Sequence, residues 1–116
     1  MTRDRLYLQH VAQSIHKIET YVSEGKEKFL GGGLVADAVI RHFEIIGEAV
    51  KRLSEDFRES NPAIRWKQIG GFRDVLIHQY FGVDLEQVWN AIVEELPKLK
   101  AVILEALENW QRSGPV

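Results

Sequence analysis

The sequence predicts an all-α fold, an antiparallel bundle of four to five helices. Three observations carry this expectation. Apolar residues recur at intervals of three and four along long stretches of the chain, the period of a helix that buries one face. No segment alternates apolar and polar residues in the manner of a half-buried strand. The breaks between periodic stretches are short and rich in glycine, proline, serine and acidic residues, which suits helices joined to near neighbours.

The first helix is expected from Leu6 to Val22, where Leu8, Val11, Ile15, Ile18 and Val22 form one stripe and Tyr7, Ser14 and Tyr21 a neighbouring line. Ser23-Glu24-Gly25 is a plausible stop, and Gly31-Gly32-Gly33 a flexible break. Phe29 and Leu30 are expected to pin the connector to the body. A second helix is expected from about Leu34 to Leu53, on Val39, Phe43, Ile46, Val50 and Leu53, with Ala36, Ile40 and Gly47 beside them. A glycine inside a helix costs about 1 kcal/mol relative to alanine. Close approach of another helix is the natural reason to keep Gly47. This helix closes in Ser54-Glu55-Asp56, and Asn61-Pro62 marks a turn.

Trp66, Ile69 and Phe72 lead into a short third helix that ends near Tyr80, with Gly70-Gly71 dividing its first turn from the rest. Gly82 ends the segment, and Asp84 with Gln87 forms a capping box. The last helix carries Leu85, Val88, Ile92, Leu96, Leu99, Ile103, Ala106 and Trp110. Pro97 must kink or split it, because proline lacks the amide hydrogen and clashes with the preceding turn. Residues 110–116 are expected to form a loose tail of a single domain spanning 1–116.

Composition narrows the function. The net charge is −2, so any contact with nucleic acid must come from a local patch. Without cysteine, there are no disulfides, thiolate nucleophiles or cysteine-ligated metals. The N-terminal residues lack an apolar signal core, and no apolar run reaches the roughly 18 residues needed to cross a bilayer. A cytoplasmic protein is the expectation.

The residues that invite chemistry lie between Arg73 and Tyr80. Asp74 and His78 are four apart and share a helix face, so the carboxylate could orient the imidazole. Arg73 and His78 are five apart, about 140° around an ideal helix. A joint site needs the arginine to bend round, the helix to end near His78, or a second subunit to complete the cleft. Tyr80 would also lie elsewhere on an unbroken helix. The plainer reading is a set of solvated charges beside packing aromatics. Trp66, Trp89 and Trp110 suit packing better than base stacking. Asp37, Arg41, Glu44 and Glu48 suit a solvated face, from which Arg41 could join a positive cleft. His10, His16 and His42 make no metal signature, and no metal is expected.

With its surroundings this stretch resembles the HEPN superfamily, specifically the HepT-like toxins of the MNT-HEPN type VII toxin–antitoxin systems. The pattern of Arg, four residues, His, one residue, Tyr falls on Arg73, His78 and Tyr80. The segments Asp37-Ala38-Val39-Ile40-Arg41, Glu44 to Leu53, Trp66 to Asp74, Tyr80 to Leu85, Val88-Trp89 and Leu96-Pro97 are similar as well. The resemblance covers nearly the whole chain. It implies a homodimer whose motifs meet in a cleft between subunits, and a metal-independent ribonuclease acting on RNA in the cytoplasm. It also implies a minimal nucleotidyltransferase antitoxin as partner, with ATP as the AMP donor and Tyr80 as the AMPylated residue.

On that basis His78 transfers protons and Arg73 holds phosphate oxygens, since an imidazole serves as acid or base near neutrality and a guanidinium matches phosphate with its planar fork. Asp74 would support the site by orienting His78, and Tyr80 would line the RNA groove. Two departures stand out. Asp74 fills a place where asparagine is common, and Gln79 one where aspartate is common. A carboxylate beside RNA repels phosphate unless its charge is spent on His78 or Arg73. The alternative is a non-catalytic helical dimer that binds a nucleotidyltransferase or nucleic acid. A positive surface around Arg73 and His78 favours the nuclease, and a neutral or acidic one the binding module. The chain is not itself a nucleotidyltransferase, since it lacks a strand-borne Gly-Ser pair followed by spaced aspartates.

Overall fold

A computed structural model of the chain describes residues 2–78 and 82–113. Among them there is no strand, and the architecture is an all-α multi-helix bundle. Its elements are α1 (Thr2–Tyr21), α2 (Lys26–Leu30), α3 (Gly33–Arg52), α4 (Glu55–Ser60), α5 (Trp66–His78), α6 (Leu85–Asn90), a π turn (Ala91–Glu95) and α7 (Leu96–Ser113).

Helix α3 is the centre of the bundle. α1 packs along one side of it, α5 packs on another, and α7 closes over α1. The apolar stripe read from the sequence supplies the core. Leu8, Val11, Ile15 and Ile18 of α1 are buried against Val39, Phe43, Ile46 and Val50 of α3, with Val88, Leu96, Leu99 and Ile103 from the C-terminal part. Burying side chains of this size is worth about 1.5–3 kcal/mol each relative to exposure, before chain entropy is set against it. Phe29 is fully buried and stacks at 5.6 Å on Trp89, so it does pin the connector, although α2 is a short helix there instead of a loop.

α1 and α3 run antiparallel, because Asp4 at the start of α1 meets Ser54 just beyond α3, while Ser14 meets His42. The Asp4 carboxylate is buried. It accepts the Ser54 backbone N–H at 2.8 Å and the Ser54 hydroxyl at 2.6 Å. Ser54 Oγ in turn accepts from the Phe57 N–H at 3.1 Å and caps α4. One aspartate thereby ties the first helix to the corner after α3. The next corner is closed by Trp66, whose indole N–H lies 3.1 Å from the Arg58 carbonyl and 3.0 Å from that of Asn61.

Three local expectations change, and that for Pro97 takes a particular form. The chain after α3 does not stay irregular, since α4 forms behind the Ser54 cap. Gly70-Gly71 does not divide α5, which is continuous from Trp66 to His78. Packing on α3 outweighs the weak helix preference of the two glycines. Ahead of Pro97 the last segment is divided into α6 and α7 by a π turn, with no loop between them. This π turn, with the Leu96 N–H bonded to the Ala91 carbonyl, widens the turn that the proline ring would otherwise strike. The last helix also runs past Trp110 to Ser113. At the start of α6, Asp84 is the N-cap, accepting from the Glu86 N–H at 3.0 Å.

Candidate active site

Arg73 lies where α5 crosses α3, and glycine makes the crossing possible. A Cβ placed on Gly47 would lie 2.3 Å from Arg73 Cβ and 3.0 Å from its Cγ. The root of the Arg73 side chain therefore occupies the space that any other residue at position 47 would fill. Its guanidinium then reaches two carboxylates. Nη2 is 3.3 Å from Glu48 Oε2 on α3, and Nη1 is 3.1 Å from Asp74 Oδ1 on α5. Nε is buried without a hydrogen-bond partner. The crossing thus fixes where the side chain leaves the helix, and the carboxylates fix how its planar head is turned.

Each carboxylate also serves a second cation. Glu48 Oε1 accepts from Arg52 Nε at 3.0 Å. Asp74 takes the Lys51 ammonium on both oxygens, at 2.7 and 2.9 Å. Hydrogen bonds from Lys51, then from Arg73, hold the Asp74 carboxyl below its ordinary pKa. The linked series Arg52, Glu48, Arg73, Asp74, Lys51 contains three cations and two carboxylates, so the ion-pair network itself is net positive on a chain of net charge −2.

His78 is the last residue of α5 and is exposed. Among the described residues it makes no hydrogen bond or ion pair with Arg73 or Asp74. Asp74 is directed to Lys51 and Arg73, so within this chain it does not orient His78 as the four-residue spacing suggested. The charge of Asp74 is nevertheless shared between two cations, Lys51 and Arg73. Arg41 stands apart from the network; it is exposed and 3.5 Å from Glu44. Tyr80 and its neighbours Gln79 and Phe81 lie outside the described residues. Among the described residues no group of three or more His, Asp or Glu is placed to hold a metal ion. No helix among them is long and apolar enough to cross a membrane.

Sequence reasoning gave Lys51 no role and took Glu48 for a solvated charge. The signal that could have found them is Gly47. A glycine inside a strong amphipathic helix marks a crossing, and the polar residues one and four positions further on, Glu48 and Lys51, are the ones that flank it.

The fold and site define a class: a small helical protein that presents an arginine, held by carboxylates in a net-positive patch, on a helix ending in an exposed histidine. The "Ribonuclease HepT-like" family model matches residues 11–106, and the chain belongs to that family of ribonuclease enzymes. It is 40% identical over 109 residues to a protein of Caldanaerobacter subterraneus subsp. tengcongensis named "Putative RNase", covering 93% of this chain and 97% of that one. It is 43% identical over 95 residues to the "Probable ribonuclease HepT" of Thermococcus cleftensis, covering 81% of this chain and 86% of that one. A "Gamma-glutamylcyclotransferase and putative RNase" of Methanocaldococcus jannaschii is 43% identical over 110 residues, which are 94% of this chain and 50% of that longer protein. The chain thus spans about half of the length of that relative. No solved structure gives a significant match.

Proposed function

We propose that the chain is a metal-independent RNA endonuclease, working as a homodimer in the cytoplasm, and the toxin of a toxin–antitoxin pair. The observation that carries this reading is the presentation of Arg73 in a net-positive patch on the helix that ends in His78. In the reaction the ribose 2′-oxygen attacks phosphorus and the bond from phosphorus to the 5′-oxygen breaks. One imidazole removes the 2′-hydroxyl proton and another protonates the leaving oxygen. Arg73 holds the non-bridging oxygens as charge builds on them.

A second copy would supply the other imidazole. Arg73 and His78 are separated by about 7.5 Å along α5 and about 140° around it, so side chains from two copies meeting at the end of α5 would bring the groups together more directly than one helix does. One face of α5 is open to a cover: Val75, one turn on from Gly71, is 41% exposed, and nothing lies within 4 Å of a Cβ built on Gly71. Control would come from a nucleotidyltransferase partner. The phenol oxygen of Tyr80 would attack the α-phosphorus of ATP and release pyrophosphate, and the added AMP would bring bulk and negative charge to the RNA groove.

The test is cleavage of RNA by the purified protein in the presence of a chelator. Arg73→Ala and His78→Ala should each abolish it, and a 2′-deoxy substitution at the scissile position should make the substrate resistant. Undiminished cleavage by His78→Ala overturns the mechanism. A protein without cleavage that still binds its partner is the binding module considered above. For control, incubation with ATP and the partner should add whole adenylyl units to the intact mass, and Tyr80→Phe should abolish the gain.

A further inference from the structure

We propose that Lys51 is a positioning residue of this site: it holds the Asp74 carboxylate so that Asp74 can orient Arg73 without neutralising it. The proposal rests on the reading that Arg73 engages phosphate. Arg73 touches a carboxylate on each side, Glu48 through Nη2 and Asp74 through Nη1. Two uncompensated carboxylates beside one guanidinium would leave the pocket negative and repel an RNA phosphate. Glu48 is compensated by Arg52. Asp74 is compensated by Lys51, which binds both of its oxygens at 2.7 and 2.9 Å, closer than Arg73 at 3.1 Å.

A second feature of the fold makes this contact. To reach Asp74 from α3, the Lys51 stem lies across the backbone of α5 at Gly70. A Cβ built on Gly70 would lie 3.1 Å from Lys51 Cε and 3.2 Å from Cγ. The buried glycine thus leaves a channel for the lysine stem, as Gly47 leaves one for the root of Arg73. The two glycines, one on each helix, admit the two cations that share Asp74 Oδ1. Lys51 and Arg73 therefore compete for one oxygen. Removing the lysine charge releases the whole carboxylate onto the arginine, and the outer N–H groups of the guanidinium lose pull on phosphate.

The experiment measures steady-state cleavage of a single-stranded RNA oligonucleotide by the full chain, with thermal melts of each variant as a check on folding. Lys51→Met keeps the stem over Gly70 and removes the charge; it should lower kcat/KM by about tenfold. Lys51→Arg should stay within about threefold of the parent. The deciding variant is Lys51→Met combined with Asp74→Asn. A merely structural lysine predicts that losing both partners is as harmful as losing one, or worse. Here the second change should recover most of the lost rate, to within about threefold of the parent. Parental activity in Lys51→Met, or a double variant no better than the single, overturns the proposal. If Arg73→Ala itself cleaves RNA normally, the underlying reading of Arg73 fails instead.

Discussion

Gly47→Ala pits two opposite effects against each other at one atom. Alanine is the better helix former by about 1 kcal/mol, so on propensity alone the variant gains stability. The new methyl, however, would lie 2.3 Å from Arg73 Cβ and 3.0 Å from Cγ, with the Ile69 carbonyl oxygen at 3.4 Å. Carbon atoms pack best at about 3.5–4.0 Å, so α5 must retreat by roughly an ångström or more. The atom it meets is the root of a side chain, which cannot swing aside without moving the helix. Overpacking of this kind costs about 1–3 kcal/mol, occasionally more, which exceeds the propensity gain over most of that range. The expected net is a loss of up to about 2 kcal/mol, a fall in Tm of up to several degrees for a chain of this size. Activity should suffer more than stability. A shift of about 1 Å in a group that positions a substrate can cost about a hundredfold in rate, and the shift here falls on Arg73. Thermal and urea unfolding give the first quantity, RNA cleavage the second. A Gly47→Ala protein as stable and as active as the parent would refute the claim that this crossing seats Arg73.

Gly71→Ala is the matched contrast: with open space before it in the chain, it should raise the stability of an isolated subunit by up to about 1 kcal/mol, whereas a second copy pressed against α5 reverses the sign and weakens self-association, read by sedimentation against concentration. Asp4→Ala removes the acceptor of the Ser54 N–H and hydroxyl; leaving a part-buried donor unpaired should cost about 1–3 kcal/mol in urea unfolding, and a change within error would mean that solvent serves Ser54 equally well. For His42, burial first, then Lys17 and Arg41, lower its pKa from 6.5. The unfolded chain then binds the proton more readily, so stability contributed by neutral His42 is complete above about pH 6.5 and is lost as pH falls through the lower folded value. The urea midpoint should drop between pH 7 and 5, and by less in His42→Gln; equal drops would assign the slope to other groups.

The core was legible because it depends on periodicity, which belongs to each segment alone. Leu8 through Ile18, Val39 through Leu53, and Val88, Leu96, Leu99 and Ile103 are buried at helical steps that the sequence displays, with Ile92 partly buried between them. Gly47 was legible as a crossing because an interior helical glycine needs a reason. The short helices were not, since α4 depends on a cap that Asp4 holds from 50 residues away, and the π turn is a response to Pro97 that several hydrogen-bond patterns could have met. In the site, Arg73, Asp74 and His78 are recognisable as a motif, but spacing misdirected Asp74. A four-residue interval states that two side chains share a face. It does not state which cation from another helix arrives first, and Lys51 arrives from α3 along a path opened by Gly70.

This bears on the charge of the site. With aspartate instead of asparagine after the arginine, α5 by itself would set a negative charge next to the group proposed to hold phosphate. The structure shows Asp74 bound on both oxygens by a lysine and on one of them by Arg73 itself. The carboxylate then acts on the arginine mostly as an oriented acceptor and only partly as a countercharge. The same logic holds on the other flank, where Arg52 takes one oxygen of Glu48 and leaves the other to Arg73. A guanidinium flanked by two carboxylates is ordinarily a finished salt-bridge cluster with nothing left for a ligand. Flanked by two carboxylates that each answer to another cation, it keeps a positive charge in a fixed orientation, which is what recognition of a phosphate requires.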